Sequence, residues 1–187
     1  MLTAIVLTAI LAAPPPPASV PITDAPAEWA PAVVKAHEAG RAFQQALQSR
    51  LGEAMKQGGP PAAIDVCAKD AARIAAEASA AAGVKLGRTS DRLRNPANAP
   101  PGWTRAPLEA AAGKKAGDVL PAAVDLGAKV GVLLPIAVGS PCLGCHGPAE
   151  SLQPMVKEAL AARYPADRAV GYALGDFRGF LWVEVTK

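Results

Sequence analysis

Aromatic side chains are scarce in this chain, at 4% of 187 residues, so a core must be filled mostly by Ala, Val, Leu and Ile or by apolar material that the chain does not encode. Cysteine is scarcer still: Cys67, Cys142 and Cys145 make an odd set, which excludes a framework of paired disulfides and leaves a thiol to explain. No charge of one sign dominates. Nineteen basic residues against sixteen acidic leave +3 with no basic stripe, which argues against a nucleic-acid partner. Glycine and proline, at 17 and 19, fall short of a low-complexity or collagen-like share. Long apolar runs are also missing. The apolar start, with Leu2, Ile5, Val6, Leu7, Ile10 and Leu11, is too short for a hydrocarbon core of about 30 Å and is closed by Pro14 to Pro17. It provides no stable membrane anchor and reads as a signal peptide over 1–18, although no Lys or Arg precedes it. A periplasmic or otherwise exported location is therefore expected.

What is present is enough apolar chain, 51%, for one domain with a buried core. Residues 19–31 are rich in Pro and Ala and read as an extended linker that need not pack, with the domain over 32–187. From about position 32, Ala36, Gly40, Phe43, Leu47 and Leu51 recur at helical steps, and Gly58-Gly59-Pro60 ends the run. A second helix is expected over 61–82 with Ile64, Cys67, Ala71, Ile74 and Ala78 on its apolar stripe, which points Cys67 inward. Strands are expected over 84–94, 130–138 and 178–186, and shorter helices over 103–115 and 150–163. Five of the eight aromatics, Tyr164, Tyr172, Phe177, Phe180 and Trp182, lie in the last quarter, where the chain closes over a core or a cofactor. The fold class read from this pattern is α+β, with two long N-terminal helices.

Cys142-Leu143-Gly144-Cys145-His146 is a C-x-x-C-H sequence, the attachment signature of a c-type haem. Two intervening residues let both sulfurs reach the vinyl groups of one porphyrin edge, and the next imidazole then lies beneath the iron. A zinc site would need ligands that the chain does not supply as a second Cys/His pair. A redox dithiol or a disulfide leaves His146 without a role. The second axial ligand stays open among Cys67, His37, Met55, Met155 and a vacant position. Each of these residues also has an ordinary reading, as a surface histidine, core filler or a small buried hydrophobe.

Several segments together resemble a known family: Ala63-Ile64-Asp65-Val66-Cys67; Arg88-Thr89-Ser90 with Arg94-Asn95-Pro96-Ala97-Asn98; the C-x-x-C-H loop with Gly147; 164–172; and Gly175-Asp176-Phe177-Arg178-Gly179. In this order, over about 41–185, they are similar to the c-type haem domain long catalogued only as a domain of unknown function. That family has a PAS-like fold and occurs both as stand-alone exported proteins and as the sensing part of membrane histidine kinases. The resemblance implies an antiparallel sheet flanked by helices and one covalently attached haem c. It implies that Cys142 and Cys145 form the thioethers, that His146 is the proximal ligand and that Cys67 is the distal ligand. Arg88 and Arg178 fall in the matched segments and are candidates for pairing with the haem propionates, a surface ion pair being the alternative.

The expected function is that of an exported single-haem cytochrome with His/Cys axial ligation, carrying one electron at low potential to a separate redox partner protein. A haem-based redox or gas sensor acting through a separate partner is the alternative, since no output domain follows within the sequence. An enzyme is not expected. Peroxidase chemistry needs an open iron with a distal His or Arg, and His37 is the only spare histidine.

Overall fold

The computed structural model describes residues 17–187, so all but the last two positions of the expected signal peptide lie outside it. Its elements run in the order β1 (Ser19–Pro21), α1 (Ala30–Asp65), a π-helical turn (Val66–Asp70), α2 (Ala71–Ala82), β2 (Lys85–Thr89), α3 (Arg105–Ala111), β3 (Ala122–Asp125), β4 (Lys129–Ala137), α4 (Leu143–His146), α5 (Pro154–Arg163) and β5 (Phe177–Thr186). The five strands form one antiparallel sheet in the order β1-β3-β4-β5-β2. Among the described residues, no helix is long and apolar enough to cross a membrane.

The sheet is covered on both faces, and alternation along its central strands shows how. Val130 and Val132 of β4, with Leu181, Val183 and Val185 of β5, pack against Ala36, Phe43 and Leu47 of α1 and Ile74 of α2. Leu133 and Phe180, one residue out of phase, pack with Leu108 and Ala111 of α3 and with Phe177 on the opposite face. Gly40 lets α1 come close: a Cβ there would stand 3.0 Å from side-chain carbons of both Leu134 and Leu181. The result is an α+β fold of PAS-like type, with a five-stranded antiparallel sheet and a long N-terminal helical segment.

The expected division of the first helical stretch has a physical counterpart. The span α1 is two helical stretches meeting at a kink: Gly59 leaves the helical region at φ 66°, ψ −161°, immediately before Pro60 and Pro61, which bring no N–H. The second helical half then passes through the π-helical turn before α2 ends at left-handed Gly83, whose N–H reaches the Ala80 carbonyl at 3.2 Å.

Three expectations are corrected. Residues 19–31 are packed rather than a loose linker: Ser19, Val20 and Pro21 pair with Val124, Ala123 and Ala122, and Trp29 is buried in the core. An edge strand needs hydrogen bonds on one side only, so it accepts Pro21. The helix expected over 150–163 starts at Pro154 because Leu152 and Gln153 are extended and proline suits a first helical position. The one expected over 103–115 is confined to Arg105–Ala111 after a single 3-10 turn.

Candidate functional site

After β4, Val138 exchanges backbone hydrogen bonds with 175–176: its N–H donates to Asp176 at 3.0 Å and its carbonyl accepts from Gly175 at 2.9 Å. The chain then turns through a 3-10 segment, Ser140–Cys142, into the single turn α4. Cys142 and Cys145, three apart on this turn, share a face. Cys142 packs against Val138, Ala169 and Tyr172. Cys145 packs against the cluster of Ile64, Leu152, Val156, Leu160 and Tyr164, joined by Ala68. Both thiols are free and half-buried. At Gly144 a Cβ would meet nothing within 4 Å, whereas at Gly147 it would lie 2.6 Å from the Leu143 carbonyl oxygen, so the turn ends where only glycine fits.

His146 is fixed from several sides. Its Nδ1 lies 2.7 Å from the Ala169 carbonyl oxygen. A carbonyl only accepts, so Nδ1 carries the proton and the Nε2 lone pair is free for a metal. Tyr172 N–H donates to the His146 carbonyl at 2.9 Å, and the two rings meet edge to face at 6.3 Å. Burial, followed by the charges of Arg94 and Arg178, pushes the His146 pKa down to about 3, which keeps the imidazole neutral.

Cys67 lies on the π-helical turn, deep among its neighbours but not sealed. The extra residue of such a turn shifts the angular position of every side chain that follows it. Burial pushes the Cys67 thiol up, opposed by the charges of Arg88, Arg94 and Arg178. The same three guanidinium groups act on His146. Cys67 and His146, 79 positions apart in sequence, therefore face one electrostatic environment. No three His, Cys, Asp or Glu side chains among the described residues gather closely enough to cage a bare metal ion. The other candidates for a second axial ligand lie elsewhere. His37 lines a cleft with Pro21, Ile22, Leu120 and Pro121, and Met55 and Met155 are 47% and 50% exposed.

Arg88 and Arg178 differ from the ion-paired surface alternative. Among the described residues neither pairs with a carboxylate. The Arg88 guanidinium stands over the Phe43 ring at 5.7 Å. Arg178 donates to the Arg92 carbonyl at 3.3 Å and stands over Tyr172 at 5.3 Å. Burial lowers the pKa of both, the mark of desolvated cations that lack a counter-ion. Arg94, which the residue pattern alone did not single out as a site residue, is the exception. It is only 9% exposed and pairs with Asp167 at 3.0 Å.

This donor set fits a haem. A neutral imidazole and a thiol are groups of the kind that ligate haem iron, two cysteines on one turn suit covalent attachment, and uncompensated guanidinium groups suit propionates. Tyr172 adds an independent sign: its hydroxyl is buried with no hydrogen-bond partner, a polar group left waiting for one.

No curated protein matches the chain. The crystal structure of the cyanobacterial heme-protein Tll0287 is similar at 28% identity with a TM-score of 0.58, covering 87% of this chain and 98% of that one. A family model described as Tll0287-like matches residues 23–186. Nearly the whole described chain is thus accounted for, the haem-domain resemblance read from its motifs has a named counterpart, and the chain belongs to the Tll0287-like family.

Proposed function

We propose that this protein is an exported cytochrome with one covalently attached haem c, held by Cys142 and Cys145, ligated by His146 and Cys67, and acting as a low-potential one-electron carrier for a separate redox protein. The observation that carries this reading is geometric: two free thiols stand on one helical turn beside His146, whose Nδ1 is held by the Ala169 carbonyl, and Ala68, next to Cys67, packs in the same cluster as Cys145. The similarity to a solved haem protein supports it. When bound, haem supplies reversible ferric/ferrous chemistry.

The residues do the rest. His146 offers Nε2 with its ring angle set by Ala169 and Tyr172. Cys67 gives up its proton on ligation, and its thiolate favours the ferric state and a low potential. Arg88 and Arg178 offer guanidinium groups to the propionates. If His146 and Cys67 both hold the iron, they would leave no coordination site for a substrate, so electron transfer rather than an enzyme reaction is the natural activity.

Pyridine haemochrome spectra of the purified protein should show one c-type haem per chain, and Cys142→Ser with Cys145→Ser should abolish covalent attachment. Haem that extracts into acid acetone from the unaltered protein would end the reading. Cys67→Ser should alter the low-spin ferric EPR signature while attachment persists. An unaltered signature would remove Cys67 as ligand.

The π-helical turn gives specific support to a second reading, a haem-based redox or gas sensor. Relaxation of that turn to a regular helix would rotate Cys67 away and pass motion to α2. Carbon monoxide added to the reduced protein separates the two: rapid formation of a carbonyl spectrum favours sensing, and a spectrum that carbon monoxide leaves unchanged favours carriage.

A further inference from the structure

Arg94 shares the Ala169 carbonyl with His146, and its contacts converge there. Its Nη2 donates to two carbonyls, Cys145 at 2.6 Å and Ala169 at 3.1 Å, while its Nε pairs with Asp167 at 3.0 Å. Asp167 uses its other oxygen, Oδ1, to accept from the Ala169 N–H at 2.7 Å. The two peptide groups that flank the Ala169 Cα are thus both held. Asp167 grips the N–H of Ala169, and the carbonyl of the same residue takes hydrogen bonds from Arg94 and from His146 Nδ1. The guanidinium and the carboxylate are both almost fully buried, 9% and 11% exposed, so solvent screens this arrangement little.

We propose that Arg94 and Asp167 form a positioning pair that sets how strongly the Ala169 carbonyl accepts the His146 Nδ1 proton, and through it the basicity of Nε2. This rests on His146 as an iron ligand. A carbonyl shared with a guanidinium has less electron density for a second donor, so Arg94 weakens the His146 hydrogen bond. The partner of the outer ring nitrogen governs the donor strength of a ligating imidazole. A weaker hydrogen bond makes a less basic ligand and a higher potential. Arg94 therefore counteracts the downward pull of a thiolate at the opposite position, while Asp167 limits that effect by sharing the guanidinium charge.

Two opposite substitutions test this. Arg94→Lys keeps a positive charge but cannot reach both carbonyls and the carboxylate at once. Asp167→Asn leaves the guanidinium without its counter-charge. In the chain before haem attachment, the nitrogen-15 correlated NMR signal of His146 Nδ1–H should move downfield in Arg94→Lys, as the bond strengthens, and upfield in Asp167→Asn. In the haem-loaded protein, Arg94→Lys should raise the ferric/ferrous ratio at fixed ambient potential about tenfold, a fall of about 59 mV for a one-electron couple. Asp167→Asn should shift it the other way. An unchanged Nδ1–H signal, or a shift of the same sign in both variants, overturns the proposal. If Arg94→Lys fails to fold, the sign in Asp167→Asn decides alone. The haemochrome assay separates failure of this inference from failure of the haem reading, because the NMR arm needs no haem.

Discussion

Gly179 illustrates how tightly single positions constrain this fold. It adopts φ 144° in β5, opposite Ile136, just where the β4–β5 register shifts, and any Cβ there would overlap the Thr89 carbonyl oxygen. Gly179→Ala combines a backbone conformation foreign to L-residues with a collision against main chain that cannot rotate away. A loss of about 3 kcal/mol or more is expected, read as a lower urea midpoint with an unchanged slope. Cys142, Cys145 and His146 stood out in the sequence because a C-x-x-C-H pattern is local, and the structure places all three on one turn. Arg94 was not legible as a site residue, since two of its acceptors are backbone carbonyls at 145 and 169. A backbone acceptor leaves no trace in residue identity. Tyr172 stood out as a late aromatic within the family-matching segment 164–172 but with no role, and its unpartnered hydroxyl became visible only in three dimensions.

The helical segment that carries Cys67 shows what periodicity can and cannot reveal. Gly58-Gly59-Pro60 marked its interruption correctly because backbone freedom and a missing N–H act locally. The inward orientation of Cys67 also followed from a 3.6-residue repeat, but the π-helical turn did not, since one extra residue per turn leaves the apolar pattern nearly unchanged over so short a stretch. Deleting Ala68 should restore a regular helix and turn Cys67 by about 100° relative to α2. The expected outcome is covalent haem with an altered ferric EPR signature, and faster maleimide labelling of Cys67 in the unloaded chain.

The end of α1 is also tied to α5. Asp65 accepts from Arg163 Nε at 2.5 Å and from Lys69 at 3.1 Å. These hydrogen bonds, Arg163 first, hold its carboxyl at about 2, below the ordinary 3.8. A lowered carboxylate pKa contributes stability that is present above the unfolded value and lost as pH falls through the folded one. The α1–α5 link should therefore hold at pH 5 and weaken between about pH 4 and 2. Asp65→Asn should flatten the dependence of the thermal midpoint on pH in that window.

Across the whole molecule, sequence reading found β4 and β5, which are rich in β-branched or aromatic residues, and β2, which ends at Thr89 rather than 94, whereas β3 was missed. Ala122-Ala123-Val124-Asp125 is short and alanine-rich, and its strand character comes from pairing with β4 rather than from propensity. The packing of 19–31 escaped for a related reason: proline and alanine signal no buried partner, yet β1 occupies an edge of the sheet and Trp29 reaches the core. Removing residues 19–21 should bare the β3 edge, and self-association is the expected result, measurable by light scattering.

The sheet order has a further bearing on assembly. β5 lies between β4 and β2, although it follows both in sequence, and the C-x-x-C-H turn sits on the connection between β4 and β5. Until 177–186 slot into that gap, the two halves of the sheet have no common neighbour, and a non-local pairing of this kind forms slowly. During that interval the thiols at 142 and 145 are on an unfinished, open chain. On the covalent-haem reading, attachment thus has a natural place in the order of assembly: before the last strand locks the door.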